Sequence, residues 1–203
     1  MMKSLFLCLA ALCLAAPVGA QTLPAQFQVT DVAQDDTLNI RAEPSASAEI
    51  IGEIYAYDVA VEVLRLSDDS KWAMVGAGER NGWVSMQFLR YEPYPEPYSI
   101  PRPLTCGGTE PFWSIGLNPR GSEFQTPDIP RTDIEVKSEG VAERGFYAMA
   151  EEGPTRIYQL HVTRQTCSDG MSDREFGWAA SLFIESPDGN QMLTGCCTLD
   201  SRN

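Results

Sequence analysis

Two adjacent cysteines, Cys196 and Cys197 in the stretch TGCCTL, have more chemistry open to them than any other residues of this chain. Neighbouring thiols can be a nucleophile, a metal site or a cross-link. A cysteine nucleophile requires a base, commonly histidine, within hydrogen-bond reach, and the sequence contains one histidine, His161. It lies in RIYQLHVT, where Tyr158, Leu160 and Val162 share one face of an alternating strand and His161 takes the other. A zinc site of two cysteines and two histidines needs a second histidine, and a four-cysteine site needs paired CxxC spacing, which is absent. The balance falls on cross-linking, and no metal or other cofactor is expected.

The cross-link reading agrees with the compartment. MMKSLFLCLAALCLAAPVGAQ has a single Lys3, an apolar run from Leu5 to Ala16, the helix-breaking Pro17 and small residues before Gln21. It reads as a secretory leader cleaved after Ala20, shorter than the ~18 to 20 apolar residues that span a bilayer. Cys8 and Cys13 each follow a leucine, where a lipoprotein site would want a small residue. The expected product is therefore periplasmic or secreted, with no stable membrane insertion. It keeps Cys106, Cys167, Cys196 and Cys197, an even number that reads as two disulfides with three possible connectivities. Within a strand, consecutive side chains point to opposite faces. Cys196 and Cys197 then meet different partners, with Cys106 and Cys167 taking one each.

The 203 residues carry a net charge of −13, and loss of Lys3 with the leader makes the product more acidic still. Phosphate-backbone binding needs Lys and Arg, so nucleic acid and anionic lipid surfaces are excluded as partners. Cationic partners remain open.

Residues 92–103, with Pro93, Pro95, Pro97, Pro101 and Pro103, predict a proline-rich linker dividing the chain. Before it the pattern is all-β. TLNIR alternates, EPSASA turns, VAVEVLRL alternates again, and KWAMVGAGERNGWVSMQFL predicts two strands joined around Glu79, Arg80, Asn81 and Gly82. Short strands with turns this close suggest a small barrel. Taken together, LNIRAEPSASAEIIGEI, VEVL, KWAMV and NGWVSMQFL resemble the bacterial SH3-like domain over about residues 26–91. The resemblance implies a small barrel that binds, often to peptidoglycan stem or cross-bridge peptides, and does not catalyse. Trp72, Trp83, Tyr55 and Tyr57 are amphipathic aromatics able to line a shallow groove, and Arg41 could pair with a peptide carboxylate. The competing expectation places Trp72 and Trp83 in the core and leaves Arg41 tying down its own turn.

Residues 104–203 also read as β: EPFWSIGL, DIEVKSE, RGFYAMAEE, RIYQLHVTRQTC, WAASLFIES and QMLTGCCTL are strand-like, and NPRG, SDG and SPDGN are turns. This predicts a disulfide-tied antiparallel barrel or sandwich of six or so strands. CGGTEPFW, CSDGMSDREF and GCC resemble an uncharacterised family of exported bacterial domains, from which Phe176 departs where tyrosine is commoner; the likeness implies no particular activity. Disulfides drawing these segments together would bring Glu110, Asp169, Asp173 and Arg174 within reach of one another. That cluster either fixes loop shape or forms a recognition site with Trp113 as platform. SDGMSD lacks the ligand spacing of an EF-hand calcium loop. The expectation is an exported, non-enzymatic, all-β binding protein that engages peptidoglycan or wall peptides. The alternatives are an inhibitor or sensor of a cationic protein such as lysozyme, and a hydrolase using Glu110 with Asp169 or Asp173.

Overall fold

The structure is a computed structural model that describes residues 22–93 and 99–202. The leader and the centre of the proline-rich segment lie outside the described residues.

The first unit is built from short strands whose alternate residues are apolar: β1 (Ala25–Val29), β2 (Thr37–Arg41), β3 (Ile50–Tyr55), β4 (Val61–Val63), β5 (Arg65–Leu66), β6 (Trp72–Ala77), β7 (Arg80–Ser85) and β8 (Leu89–Tyr91). A 3-10 turn, Met86–Phe88, precedes β8. They form two sheets, β4-β1-β8 and β3-β2-β7-β6-β5. Between the sheets lie Phe27, Leu38, Ile40, Ile54, Val61, Val63, Val75 and Val84, all buried. Neither Trp72 nor Trp83 belongs to this core; both are half-buried on the outer face. The hairpin turn also differs from expectation. Ala77 pairs with Arg80, so Gly78 and Glu79 form the loop, with Gly78 at φ +67°. Asn81 and Gly82 are inside β7 instead. A Cβ at Gly82 would stand 2.4 Å from Ile40, so close packing and not a turn requires glycine there.

The second unit is a closed barrel of eight antiparallel strands. They are β9 (Leu104–Thr109), β10 (Phe112–Asn118), β11 (Gly121–Gln125), β12 (Thr132–Ala142), β13 (Gly145–Glu152), β14 (Arg156–Ser168), β15 (Glu175–Glu185) and β16 (Gln191–Thr198). Each strand pairs with its neighbour in sequence, and β16 returns to β9 to close the circle. The strip on β14 behaves as its alternation predicts: Tyr158, Leu160 and Val162 are buried, while His161 is exposed against the ring of Tyr147. Trp178, Tyr158 and Phe124 are the largest of the fully buried side chains, and they fill the interior.

The disulfides sit at the closure. Cys197 and Cys106 face each other across β16 and β9 and are bonded, with Cα atoms 3.9 Å apart. Cys196 points to the other side of β16 and is bonded to Cys167 at the end of β14. Alternation in the strand thus gives each neighbour its own partner. The bridges close loops with sequence separations of 91 and 29 residues. In the chain-entropy treatment these contribute about 4 to 5 and about 3 to 4 kcal/mol respectively. Replacing Cys106 and Cys197 together by alanine should therefore lower the urea-unfolding free energy by more than the Cys167, Cys196 pair replacement does. An equal or reversed order would show that closing the barrel is not what the first bridge stabilises.

Candidate functional site

The two units are joined by direct contact, and the joint is made by three segments. The first is strand β4, which sends Glu62 into the barrel wall. Its Oε1 accepts from the Trp178 indole at 2.9 Å and its Oε2 from the Thr198 hydroxyl at 2.6 Å. The second is the loop entering β15. The Glu175 amide donates to Asn81 Oδ1 at 2.6 Å, and Asn81 Nδ2 donates back to the Glu175 carbonyl at 3.1 Å. The third is the tail after β16. Leu199 accepts from Gln26 Nε2 at 2.8 Å, and Ser201 donates to the carbonyls of Ala60 and Val59. Arg202 donates to the Gly76 carbonyl and pairs with Asp200. Small residues let the units approach: a Cβ at Gly177 would stand 2.0 Å from Pro24, and one at Gly76 would stand 2.7 Å from the Arg174 guanidinium.

Charge is concentrated at this joint. Glu62 is 2 % exposed. Burial pushes its carboxyl up to about 7, and Asp200 adds to the rise, while hydrogen bonds from Thr198, Leu199 and Trp178 pull the other way. Burial holds the Arg174 guanidinium below the usual arginine range, with Asp200 and Glu62 opposing.

Several of the residues picked out by sequence line cavities, and they are divided among them. A groove of about 330 Å³ lies on the outer face of the first unit, with Arg41 and Trp72 in its wall beside Asp31, Asp36 and Asn39. Arg41 Nη1 donates to the Ala48 carbonyl at 2.7 Å, so it does tie down its turn; that bond uses one of the guanidinium's five N–H donors. Trp83 lies on the same outer face, opposite Met74 and Arg41, but is covered by Arg65 at 6.0 Å. Tyr55 and Tyr57 are elsewhere, stacked on each other at 5.5 Å. Tyr55 borders a larger cavity, about 770 Å³, whose far wall holds Arg174, Asp200 and Arg202.

Glu110 and Asp169 do come together, in a third cavity of about 560 Å³ beside the Cys167 bridge. Asp169 is occupied in shaping its loop: Oδ1 accepts from the amides of Met171 and Ser172, and Oδ2 from the Ser172 hydroxyl. Burial raises its carboxyl, but those donors hold it below the usual carboxylate range. Arg174 stays within electrostatic reach of Asp169 but lines the 770 Å³ cavity instead of this one; its guanidinium packs over Phe176 at 4.7 Å and against Gly76. Trp113 is no platform either. It is 4 % exposed and its indole donates to the Thr194 carbonyl at 3.2 Å.

Residues 36–90 match the family model of the bacterial SH3 domain. The first unit is a bacterial SH3 domain. No curated protein and no solved structure matches the chain. The Arg41–Trp72 groove is lined entirely by the first unit, on its strands, loops and 3-10 turn, whereas the larger cavity has the barrel's loop and tail in its wall as well.

The residues that sequence reasoning missed are Glu62, Gln26 and Asn81. Glu62 sits in VAVEVLRL as one more alternating polar residue, and the signal that could have separated it is that the residues sharing its face, Ala60, Leu64 and Leu66, are all apolar.

Because the folded carboxyl of Glu62 lies above its ordinary 4.5, its stabilising effect is complete below pH 4.5 and is lost as pH rises through about 7. The gap corresponds to about 3 kcal/mol. Denaturation of the wild type at pH 5 and pH 8 should show stability falling with pH, while Glu62→Gln, neutral throughout, should show a nearly flat profile. A wild-type profile parallel to that of the variant would remove Glu62 from this role.

Proposed function

We propose that this is an exported binding protein of the bacterial cell envelope whose SH3 domain holds peptidoglycan peptides in the groove of Arg41 and Trp72. The single observation that carries the reading is that groove, whose Asp36, Arg41 and Trp72 lie within the segment matching a family whose members often bind wall components. Its chemistry suits such a ligand. Arg41 offers a planar fork to a carboxylate, Trp72 offers an apolar face to an aliphatic stem, and Asp31 and Asp36 offer negative charge to an amine. Wall peptides carry all three groups on short flexible chains.

The protein acts by binding and not by catalysis. In support, all four cysteines of the described residues are spent on disulfides, and His161 stands exposed on the barrel wall. The disulfides also suit the oxidising periplasm or the outside of the cell.

A second reading has its own support. The net charge of −13 favours association with a cationic protein, lysozyme being the obvious test.

Co-sedimentation with purified sacculi separates the two. Wild-type protein should pellet with sacculi, and Trp72→Ala or Arg41→Gln should weaken this roughly tenfold, about 1.4 kcal/mol, with Trp83→Ala nearly silent. If sacculi do not retain the protein, while lysozyme activity falls on its addition, the cationic-protein reading replaces the first.

A further inference from the structure

The cavity of about 770 Å³ between the SH3 domain and the barrel has an unusual wall. Ile51, Gly52 and Glu53, consecutive in β3, all border it, so both faces of that strand and the edge between them meet the cavity. β3 is the terminal strand of its sheet, paired with β2 alone. The direction of its backbone groups follows from one residue. Tyr55 directs its N–H at Asp58 Oδ2, 3.2 Å, and its carbonyl accepts from the Asp58 amide, 3.0 Å, so both point away from β2. Backbone groups alternate in direction along an antiparallel ladder. The unbroken register Thr37 with Tyr55, Leu38 with Ile54, Asn39 with Glu53 then turns the N–H and C=O of Glu53 outward as well. Asp58 closes the edge at Tyr55. Among the described residues, no hydrogen bond closes it at Glu53.

An open strand edge is a template for another chain, which native sheets normally cover or guard with charge. Here the guard is Glu53 itself, a charge that repels a second copy of the same edge and attracts a cation. Around the cleft itself Glu53 and Asp58 stand on the β3 side, while Arg174 and Arg202 on the far wall have Asp200 among them, paired with Arg202; residues 25–91 as a whole contain eleven acidic side chains against five basic ones. Exposed apolar groups crowd the same short segment, namely Ile50, Tyr55 at 58 %, Tyr57 at 72 % and Val59. Such a concentration marks an interaction surface. The opposite wall is fixed, because Ser201 and Arg202 of the tail are bonded to Val59, Ala60 and Gly76.

We propose that an extended segment of a basic polypeptide docks in this cleft by adding a strand to β3, its backbone bonded to Glu53, its cationic side chains facing Glu53 and its apolar ones facing Tyr55. This mode takes affinity from main-chain hydrogen bonds and specificity from alternate side chains. The site needs both units, since the barrel supplies the far wall. It does not depend on the wall-peptide groove.

The test uses the intact oxidised protein and two probe peptides, acetyl-KVKVKV-amide and acetyl-EVEVEV-amide, with calorimetry and amide hydrogen exchange. The basic peptide should bind more tightly than the acidic one and slow exchange of the Glu53 amide at least tenfold. Glu53→Pro, which removes the edge donor, should weaken the basic peptide at least tenfold; Trp72→Ala, which impairs the other groove, should leave it unchanged. Should Glu53→Pro fail to fold, Glu53→Lys keeps the N–H and should invert the preference between the two peptides. Failure of the basic peptide to bind, equal binding of both peptides, or binding with no slowing at Glu53 would each overturn the proposal, whatever sacculi do.

Discussion

The pairing of β16 with β9 is the constraint on which the rest of the second unit depends. An eight-stranded meander has two free edges until its first and last strands meet, and meeting brings together residues at opposite ends of the chain segment. The adjacent cysteines answer that cost on both faces of one strand: Cys197 is bonded inward to Cys106 across the junction, and Cys196 outward to Cys167. The same closure fixes the direction in which the chain leaves β16. Leu199 is fully buried, and the residues after it reach Val59, Ala60 and Gly76 in the SH3 domain. Barrel closure and domain docking are therefore one structural event seen at two points of the same strand.

The docking surface is polar at its centre, which is costly unless every group is satisfied. Glu62 meets that condition through the Trp178 indole, the Thr198 hydroxyl and the Leu199 amide. Trp178 serves both interiors. Its ring packs on Phe146 at 4.8 Å and under Arg164 at 5.0 Å within the barrel, while its one polar atom is committed to the other unit. Leaving the indole N–H without that acceptor would tax the barrel as well as the joint. The interface glycines belong to the same logic: at Gly177 and Gly76 the neighbour occupies the space a side chain would need.

Strand alternation made most of the architecture legible in the sequence. It placed β10 and β12 to β16, set Tyr158 and Leu160 against His161, and separated the partners of Cys196 and Cys197. Two barrel strands escaped it for local reasons. β9 contains Gly107 and Gly108, poor strand formers; Gly108 is required because a Cβ there would stand 2.3 Å from the Trp113 indole. β11 is only Gly121–Gln125, following directly on the NPRG turn. The Asn-Gly pair at Asn81 looked like a turn because its local signal is that of a turn; its real duties are long-range, Asn81 holding Glu175 and Gly82 making room for Ile40. The same blindness applies to the sites. Sequence could list Tyr55, Trp72, Arg41 and Arg174 as residues able to recognise a ligand, but only the fold divides them between a groove and a cleft.

That division says what the barrel contributes. Eight strands enclose a space just wide enough either to be filled by side chains or to hold one small ligand. Trp178, Tyr158, Phe124 and the leucines around them take the first course, and Trp113, expected as a platform, is turned inward to join them. Among the described residues these side chains occupy the barrel interior, and what the barrel presents to the SH3 domain lies on its rim. The rim segments facing the SH3 domain are the Asp169–Glu175 loop and the Leu199–Arg202 tail, each anchored next to a disulfide. The loop is shaped by Asp169, carries Arg174 to Gly76 and is tied through Glu175 to Asn81. The MSDR and GCC segments thus act at a distance from one another in sequence but on the same neighbour, and their common effect is to hold a rigid wall opposite the open edge of β3.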